Sequence, residues 1–108
     1  MRTSTEEAAG YQVVTARDGR DALSALSRDP SIGLVVTDLE MPELDGIGLI
    51  RAIRAEPARS ALPVIIVTSH GSEEDRRRGL EAGADVYMAK RSFNQQALLS
   101  TVEELIGR

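Results

Sequence analysis

Three polar residues with reactive side chains each follow an apolar, strand-like stretch. Asp38 comes directly after IGLVVT, Thr68 ends PVIIVT, and Lys90 follows DVYMA. A carboxylate can attack phosphorus and become an acyl phosphate, and nearby donors stabilise the charge that develops. Lys90 offers a mobile positive charge for a phosphoryl oxygen, and Thr68 offers a hydroxyl donor. The same residues are also compatible with a structural salt bridge between Lys90 and Asp38 and a strand that merely ends at Thr68.

Helical and strand-like segments alternate along the chain. Met1–Ala9 reads as the end of a helix that stops at Gly10, and helical spacing or capping residues predict further helices after Asp18, over Gly46–Ala55, from Ser72 to Gly83 and after Ser92. Strands are predicted at Tyr11–Thr15, Ile32–Thr37, Pro63–Thr68 and Asp85–Ala89. Ser92 and Gln95 have the spacing of a capping box.

This alternation predicts an α/β fold with a parallel sheet sandwiched between helices. The runs at 32–37 and 63–68 show no polar alternation, which is typical of strands covered on both faces. Functional sites in such sheets lie beyond the carboxyl ends of the strands. We therefore expect Asp38, Thr68 and Lys90 to converge at one edge of the sheet.

The composition restricts the function further. The chain has 108 residues, 42% of them hydrophobic, a formal charge of -4 and no cysteine. The length suits one domain, and the negative charge disfavours nucleic acid as a partner. No apolar run approaches the roughly 20 residues of a membrane span, so no membrane partner is predicted, and the absence of cysteine fits a cytoplasmic protein.

The sequence resembles the response-regulator receiver domain of two-component signalling from Gly10 to the C-terminus. The segment VVTDLEMPELDG resembles the phosphoacceptor strand and its Met-Pro turn, LPVIIVTS the fourth strand, and GLEAGADVYMAK the fifth strand. The resemblance implies a flavodoxin-like fold in which Asp38 is the phosphoacceptor, Thr68 the switch hydroxyl, Tyr87 the rotating aromatic residue and Lys90 the phosphate-binding lysine. The tail AKRSFNQQALL is similar to receivers of chemotaxis-type hybrid histidine kinases.

Two features depart from the family pattern. The family begins with a strand that ends in an acidic pair, which binds Mg²⁺, whereas Glu6 and Glu7 fall in the predicted helical stub. The implied metal ligands are then Asp38 and the backbone carbonyl of Glu40, too few to hold octahedral Mg²⁺ well. Weak Mg²⁺ binding is therefore expected, with no other cofactor. The usual Lys-Pro step is Lys90-Arg91, which predicts a trans peptide bond.

The absent first strand has a structural consequence. In the family's order 2-1-3-4-5 it would separate Tyr11–Thr15 from Ile32–Thr37. Unpaired backbone groups in that gap would be costly, so either these two strands pair directly in a four-stranded sheet or another chain fills or covers the gap. We expect direct pairing for a monomer. An apolar face should be left exposed where the first helix would lie, which predicts self-association. The whole chain, residues 1–108, is expected to be one receiver domain with an incomplete N-terminus.

The expected function is acceptance of a phosphoryl group from a histidine kinase or phosphotransfer domain. An output partner is expected at the face around Tyr87 and the last helix. A phosphorylation-independent interaction module of the same fold is the alternative, because the acidic pair is missing; a phosphatase acting on external substrates is disfavoured by the lack of a second acid or base. His70 and the cluster Arg76, Arg77 and Arg78 are read as solvated surface residues.

Overall fold

Nine main elements follow one another in a computed structural model, which describes residues 4–8, 11–16, 18–29, 31–39, 45–68, 72–92 and 94–106. The strands are β1 (Ser4–Ala8), β2 (Tyr11–Ala16), β3 (Ile32–Thr37), β4 (Val64–Thr68) and β5 (Val86–Ala89). The helices are α1 (Gly19–Arg28), α2 (Gly46–Ala55), α3 (Glu73–Ala82) and α4 (Gln95–Ile106). Short 3-10 turns occupy Pro57–Arg59 and Lys90–Ser92.

The five strands form one sheet in the order β1-β2-β3-β4-β5, and β2 to β5 run parallel to one another. The predicted parallel sheet between helices is thus confirmed. The direct pairing of β2 with β3 is confirmed as well, with Ala16 opposite Thr37, although the register shifts between Gln12 and Val13. Because the strands are parallel, their carboxyl ends share one edge of the sheet.

The N-terminal segment is a strand, so the predicted helical stub is wrong. β1 pairs antiparallel with β2, from Ser4 opposite Thr15 to Ala8 opposite Tyr11, which makes the sheet five-stranded rather than four-stranded. This pairing satisfies backbone groups along the outer edge of β2, which would otherwise face solvent as an open edge.

Alternate side chains of the strands enter two hydrophobic clusters on opposite faces of the sheet. One cluster joins Val14 and Val35 to residues of α1 and α2, with Leu80 of α3 packed against it. The other cluster contains Val13, Leu34, Val36, Ile65 and Val67, with Leu99 and Leu105 of α4 packed against it. Each of these five strand residues is at most 6% exposed. The strand residues of this face are therefore covered in the part of the chain described, contrary to the exposed apolar face expected from the sequence, while self-association stays a prediction.

Capping side chains explain where the helices begin. Asp18 accepts hydrogen bonds from the backbone N–H groups of the first turn of α1, and Ser72 does the same for Asp75 at the start of α3. The predicted capping box at Ser92 is wrong: Asn94 Oδ1 accepts from Ala97 N at 2.8 Å and caps α4. The chain leaves β5 through the turn at Lys90–Ser92, which places Ser92 ahead of the helix. The peptide bond after Lys90 is trans, as predicted.

Candidate functional site

Asp38 and Lys90 lie together at the carboxyl edge of the sheet. Asp38 directly follows β3 and Lys90 directly follows β5, and their Oδ2 and Nζ atoms are 3.0 Å apart. Thr68 ends β4, the strand between them, and is only 6% exposed. The convergence of strand ends predicted from the parallel topology is thus confirmed, while the chemical roles of the three residues remain predictions.

The carboxylate of Asp38 contacts a backbone amide and a lysine side chain. Its Oδ1 accepts a hydrogen bond from the backbone N–H of Leu39 at 2.7 Å, and its Oδ2 faces Lys90. The side chains of Asp38 and Lys90 are 23% and 45% exposed, so both remain reachable from solvent. Charge-assisted contacts of this kind orient a carboxylate. An accessible carboxylate beside a mobile ammonium is suited to nucleophilic attack on an electrophilic phosphorus.

Two residues with no role predicted from the sequence, Thr37 and Gly46, contact the backbone of Asp38 and Leu39. The hydroxyl of buried Thr37 donates to the carbonyl oxygen of Asp38 at 2.9 Å. Gly46, the first residue of α2, donates its N–H to Leu39 O at 2.9 Å and lies against the Asp38 carbonyl so closely that a Cβ there would overlap it. Two sequence signals were available: a hydroxyl at the end of an otherwise apolar strand and a glycine at a helix start.

Tyr87 lies on the α3 side of the sheet. A Cβ added to Gly79 of α3 would be 3.6 Å from the Tyr87 ring, so the ring sits directly beneath this glycine. The Tyr87 hydroxyl is buried and has no hydrogen-bond partner among the residues described. Burial, followed by the nearby charge of Asp75, raises the pKa of Tyr87. The proposed rotation of this side chain stays a prediction.

The described residues do not form a complete magnesium site. No cluster of three or more acidic or histidine side chains that could hold a metal ion exists within them, and Asp38 is the carboxylate at the sheet edge beside Lys90. Mg²⁺ prefers near-octahedral oxygen coordination and usually completes it with several waters, so Asp38 would supply one of its ligands. Glu40, whose backbone carbonyl was a predicted ligand, lies outside the described residues, as does His70.

The basic cluster on α3 is neutralised within its own helix. Arg76 pairs with Glu73, Arg78 pairs with Asp75, and Arg77 contacts both Glu74 and Glu81. These side chains are largely solvent-exposed, so the pairs contribute little to stability. The geometry agrees with a solvated helix face.

None of the helices in the described segments has the length and apolar composition of a membrane span.

The chain belongs to the response regulator receiver domain family, whose family model matches residues 1–103. The family works in two-component signal transduction, in which a receiver takes a phosphoryl group from a histidine kinase and acts on an output partner. Membership therefore establishes the chain as a signalling domain of this kind.

Known relatives agree with this assignment. The chain is 39% identical over 99 residues to a gliding motility regulatory protein of Myxococcus xanthus, covering 92% of this chain and 13% of that protein. It is 40% identical over 102 residues to the transcriptional regulatory protein CpxR of Escherichia coli K12, covering 94% of this chain and 41% of that protein. The chain thus spans well under half of the length of these relatives.

Solved receiver structures share the fold. The chemotaxis protein CheY4 of Vibrio cholerae superposes with a TM-score of 0.76 at 31% identity, covering 90% of this chain and 79% of that one. The receiver domain of a sensor histidine kinase from Pseudomonas aeruginosa gives 0.73 at 30% identity, covering 86% and 75%. The latter structure carries a magnesium ion in its active-site cleft.

Proposed function

We propose that Asp38 is the phosphoacceptor of this receiver and that Lys90 is the cation that binds the oxygens of the transferred phosphoryl group. The observation that carries the proposal is the 3.0 Å contact between Asp38 Oδ2 and Lys90 Nζ, made from the ends of two strands that are separated in the sheet by β4. Both side chains are partly exposed, as an acceptor that meets a phosphorylated protein must be. A purely structural ion pair has no need of this accessibility.

The transfer is a displacement at phosphorus. A carboxylate oxygen of Asp38 attacks the phosphorus of a phosphohistidine, a P–O bond forms, and the P–N bond breaks. The electron pair of that bond goes to the imidazole nitrogen, which takes up a proton. Lys90 leaves the carboxylate and follows the phosphoryl oxygens, whose charge is greater than the one it previously faced.

Two further residues are proposed to report the phosphoryl group. The Thr68 hydroxyl, at the end of β4, would donate to a phosphoryl oxygen, and Tyr87 would change its packing in response. β5 is the edge strand that carries Tyr87, and α3 packs beside it. We propose that the output partner binds at the edge where α3, β5 and α4 meet.

Metal dependence is proposed to be weaker than in relatives with a complete acidic site. Asp38 and the backbone carbonyl of Glu40 would be the ligands. We further propose that residues 1–108 act as one receiver domain in the cytoplasm, where ATP-dependent kinases operate. It would be a phosphoacceptor rather than an enzyme acting on external substrates.

Intact-mass spectrometry after incubation with acetyl phosphate tests the proposal. The wild-type chain should gain one phosphoryl group, and Asp38→Asn should gain none. Asp45→Asn is the matched control, because asparagine caps a helix as well as aspartate and α2 should remain intact. Equal labelling of Asp38→Asn would exclude Asp38 as the acceptor. A folded wild-type chain that takes no label from acetyl phosphate or from a phosphohistidine donor would favour the phosphorylation-independent interaction module.

A further inference from the structure

The carbonyl group of Asp38 is contacted from two directions by residues of different elements. Thr37, the last residue of β3, donates its hydroxyl to this oxygen at 2.9 Å. Gly46, the first residue of α2, lies against the same oxygen. A Cβ added to Gly46 would overlap this oxygen and would lie 3.1 Å from Leu39 Cα. The peptide that follows the phosphoacceptor is therefore enclosed by a side-chain hydroxyl and a helix start.

The contact at Gly46 leaves no room for adjustment. The atoms that an added Cβ would meet are all backbone atoms, belonging to Asp38 and Leu39, so no flexible side chain can move aside. The Gly46 N–H also donates to Leu39 O at 2.9 Å, which ties the helix start to the same peptide. Any side chain at position 46 must therefore push the Asp38–Leu39 backbone away from α2.

Moving this peptide also moves the carboxylate. Asp38 Oδ1 accepts a hydrogen bond from Leu39 N at 2.7 Å, so the direction of the side chain depends on the orientation of the peptide that Thr37 and Gly46 hold. The other oxygen, Oδ2, meets Lys90 at 3.0 Å. A displacement of about 1 Å in a reacting group can cost a hundredfold in rate.

We propose that Thr37 and Gly46 are positioning residues for phosphoryl transfer, which fix the peptide after Asp38 so that its carboxylate is presented beside Lys90. This inference rests on the proposed role of Asp38 as phosphoacceptor. Neither residue contacts the transferred group. Both act through the backbone of Asp38 and Leu39.

Three substitutions separate positioning from general stability. Thr37→Val keeps the shape of the buried side chain but removes the hydroxyl donor. The rate of labelling by acetyl phosphate should then fall about two- to tenfold, which corresponds to the net free energy of one hydrogen bond. Thr37→Ser retains the donor and should restore most of the rate. Gly46→Ala should lower the rate about tenfold or more. Gly48→Ala, in the same helix, makes the same change in backbone freedom and is the control.

Carbonyl ¹³C NMR shifts supply a second readout that does not depend on phosphorylation. Thr37→Val and Gly46→Ala should shift the Asp38 and Leu39 carbonyl signals, whereas Gly48→Ala should leave them near their wild-type positions. Wild-type labelling rates and unchanged carbonyl signals in folded Thr37→Val would overturn the positioning role while leaving the proposed function intact. A wild-type chain that is never labelled would instead overturn the proposed function, and with it any role of these residues in transfer.

Discussion

Replacing Arg54 by alanine should lower the free energy of unfolding by about 2–4 kcal/mol, because one guanidinium links three segments of the chain. Its Nη1 donates to Leu62 O at 2.6 Å, its Nε and Nη2 donate to Gly83 O at 3.1 and 2.7 Å, and Nη2 pairs with Asp85 at 3.1 Å. These acceptors lie where β4 and β5 enter the sheet, and the opposite ends of the same strands carry Thr68 and Lys90.

The expected loss of unfolding free energy is the sum of the hydrogen bonds that Leu62 O, Gly83 O and Asp85 lose with Arg54. A buried acceptor left without a donor costs about 1–3 kcal/mol. Leu62 and Gly83 are half-buried, so water can replace part of each bond, and a partly exposed ion pair such as Arg54–Asp85 adds only about 0–1 kcal/mol. Asp85 keeps its bond to Val64 N at 2.9 Å, which limits the damage. The total is still a large part of the roughly 5–15 kcal/mol of a typical domain.

Urea denaturation followed by circular dichroism measures this loss directly, provided that the slope of the transition stays constant. Arg51→Ala is the matched control, because Arg51 is exposed in the same helix and alanine suits a helix as well as arginine does. Arg54→Lys should recover less than half of the loss, since an ammonium cannot reproduce the planar fork. A loss below about 1 kcal/mol for Arg54→Ala, or a loss equal to that of Arg51→Ala, would refute the assignment of Arg54 as a structural link.

Three other outcomes are expected. Thr68→Ala should keep the chain folded while the phosphorylation-dependent NMR shift at Tyr87 shrinks; an unchanged response would remove Thr68 from the switch. Titration calorimetry should show weaker Mg²⁺ binding than in a receiver with the acidic pair, and tight stoichiometric binding would contradict the single-carboxylate site. In a Tyr11→Phe background, ultraviolet titration should give Tyr87 a pKa above its ordinary value of 10.0, because its hydroxyl is buried. The stabilisation linked to this shift should be fully present below about pH 10 and lost as the pH rises through the folded-state pKa; an unshifted titration would show that the hydroxyl is solvated.

Local sequence patterns were sufficient to predict most elements of the parallel part of the fold. The apolar runs of β3 and β4 carry their own strand signal, because strands covered on both faces need no polar alternation. Asp18 and Ser72 mark helix starts through hydrogen bonds that span only two or three residues. Patterns that operate over such short distances can be read without knowing the rest of the structure.

The N-terminal strand could not be predicted in the same way. Ser4–Ala8 has no clear alternation, and its conformation depends on the open edge of β2 beside it. The cap of α4 was missed for a related reason. Ser92 and Asn94 are both good capping residues, and the course of the chain after β5 decides between them.

The site was predictable at the level of strand ends but not of its supports. Parallel topology alone places Asp38 and Lys90 at one edge, and the contact between them follows. Thr37 and Gly46 support Asp38 through contacts of its backbone, and Arg54 reaches Gly83, which lies 29 residues further along the chain. Such contacts depend on the packing of whole elements, which residue types and spacing do not reveal.

The proposed function requires a phosphoryl group to become attached to the Asp38 carboxylate. An aspartyl phosphate is a mixed anhydride, which borohydride reduces to homoserine, so peptide mapping after reduction identifies the acceptor residue directly. The phosphorylated wild-type chain should yield homoserine at position 38, and replacement of Lys90 by alanine should strongly reduce that yield. Homoserine at another carboxylate, or none at position 38 in a chain that has gained a phosphoryl group, would exclude Asp38 as the phosphoacceptor.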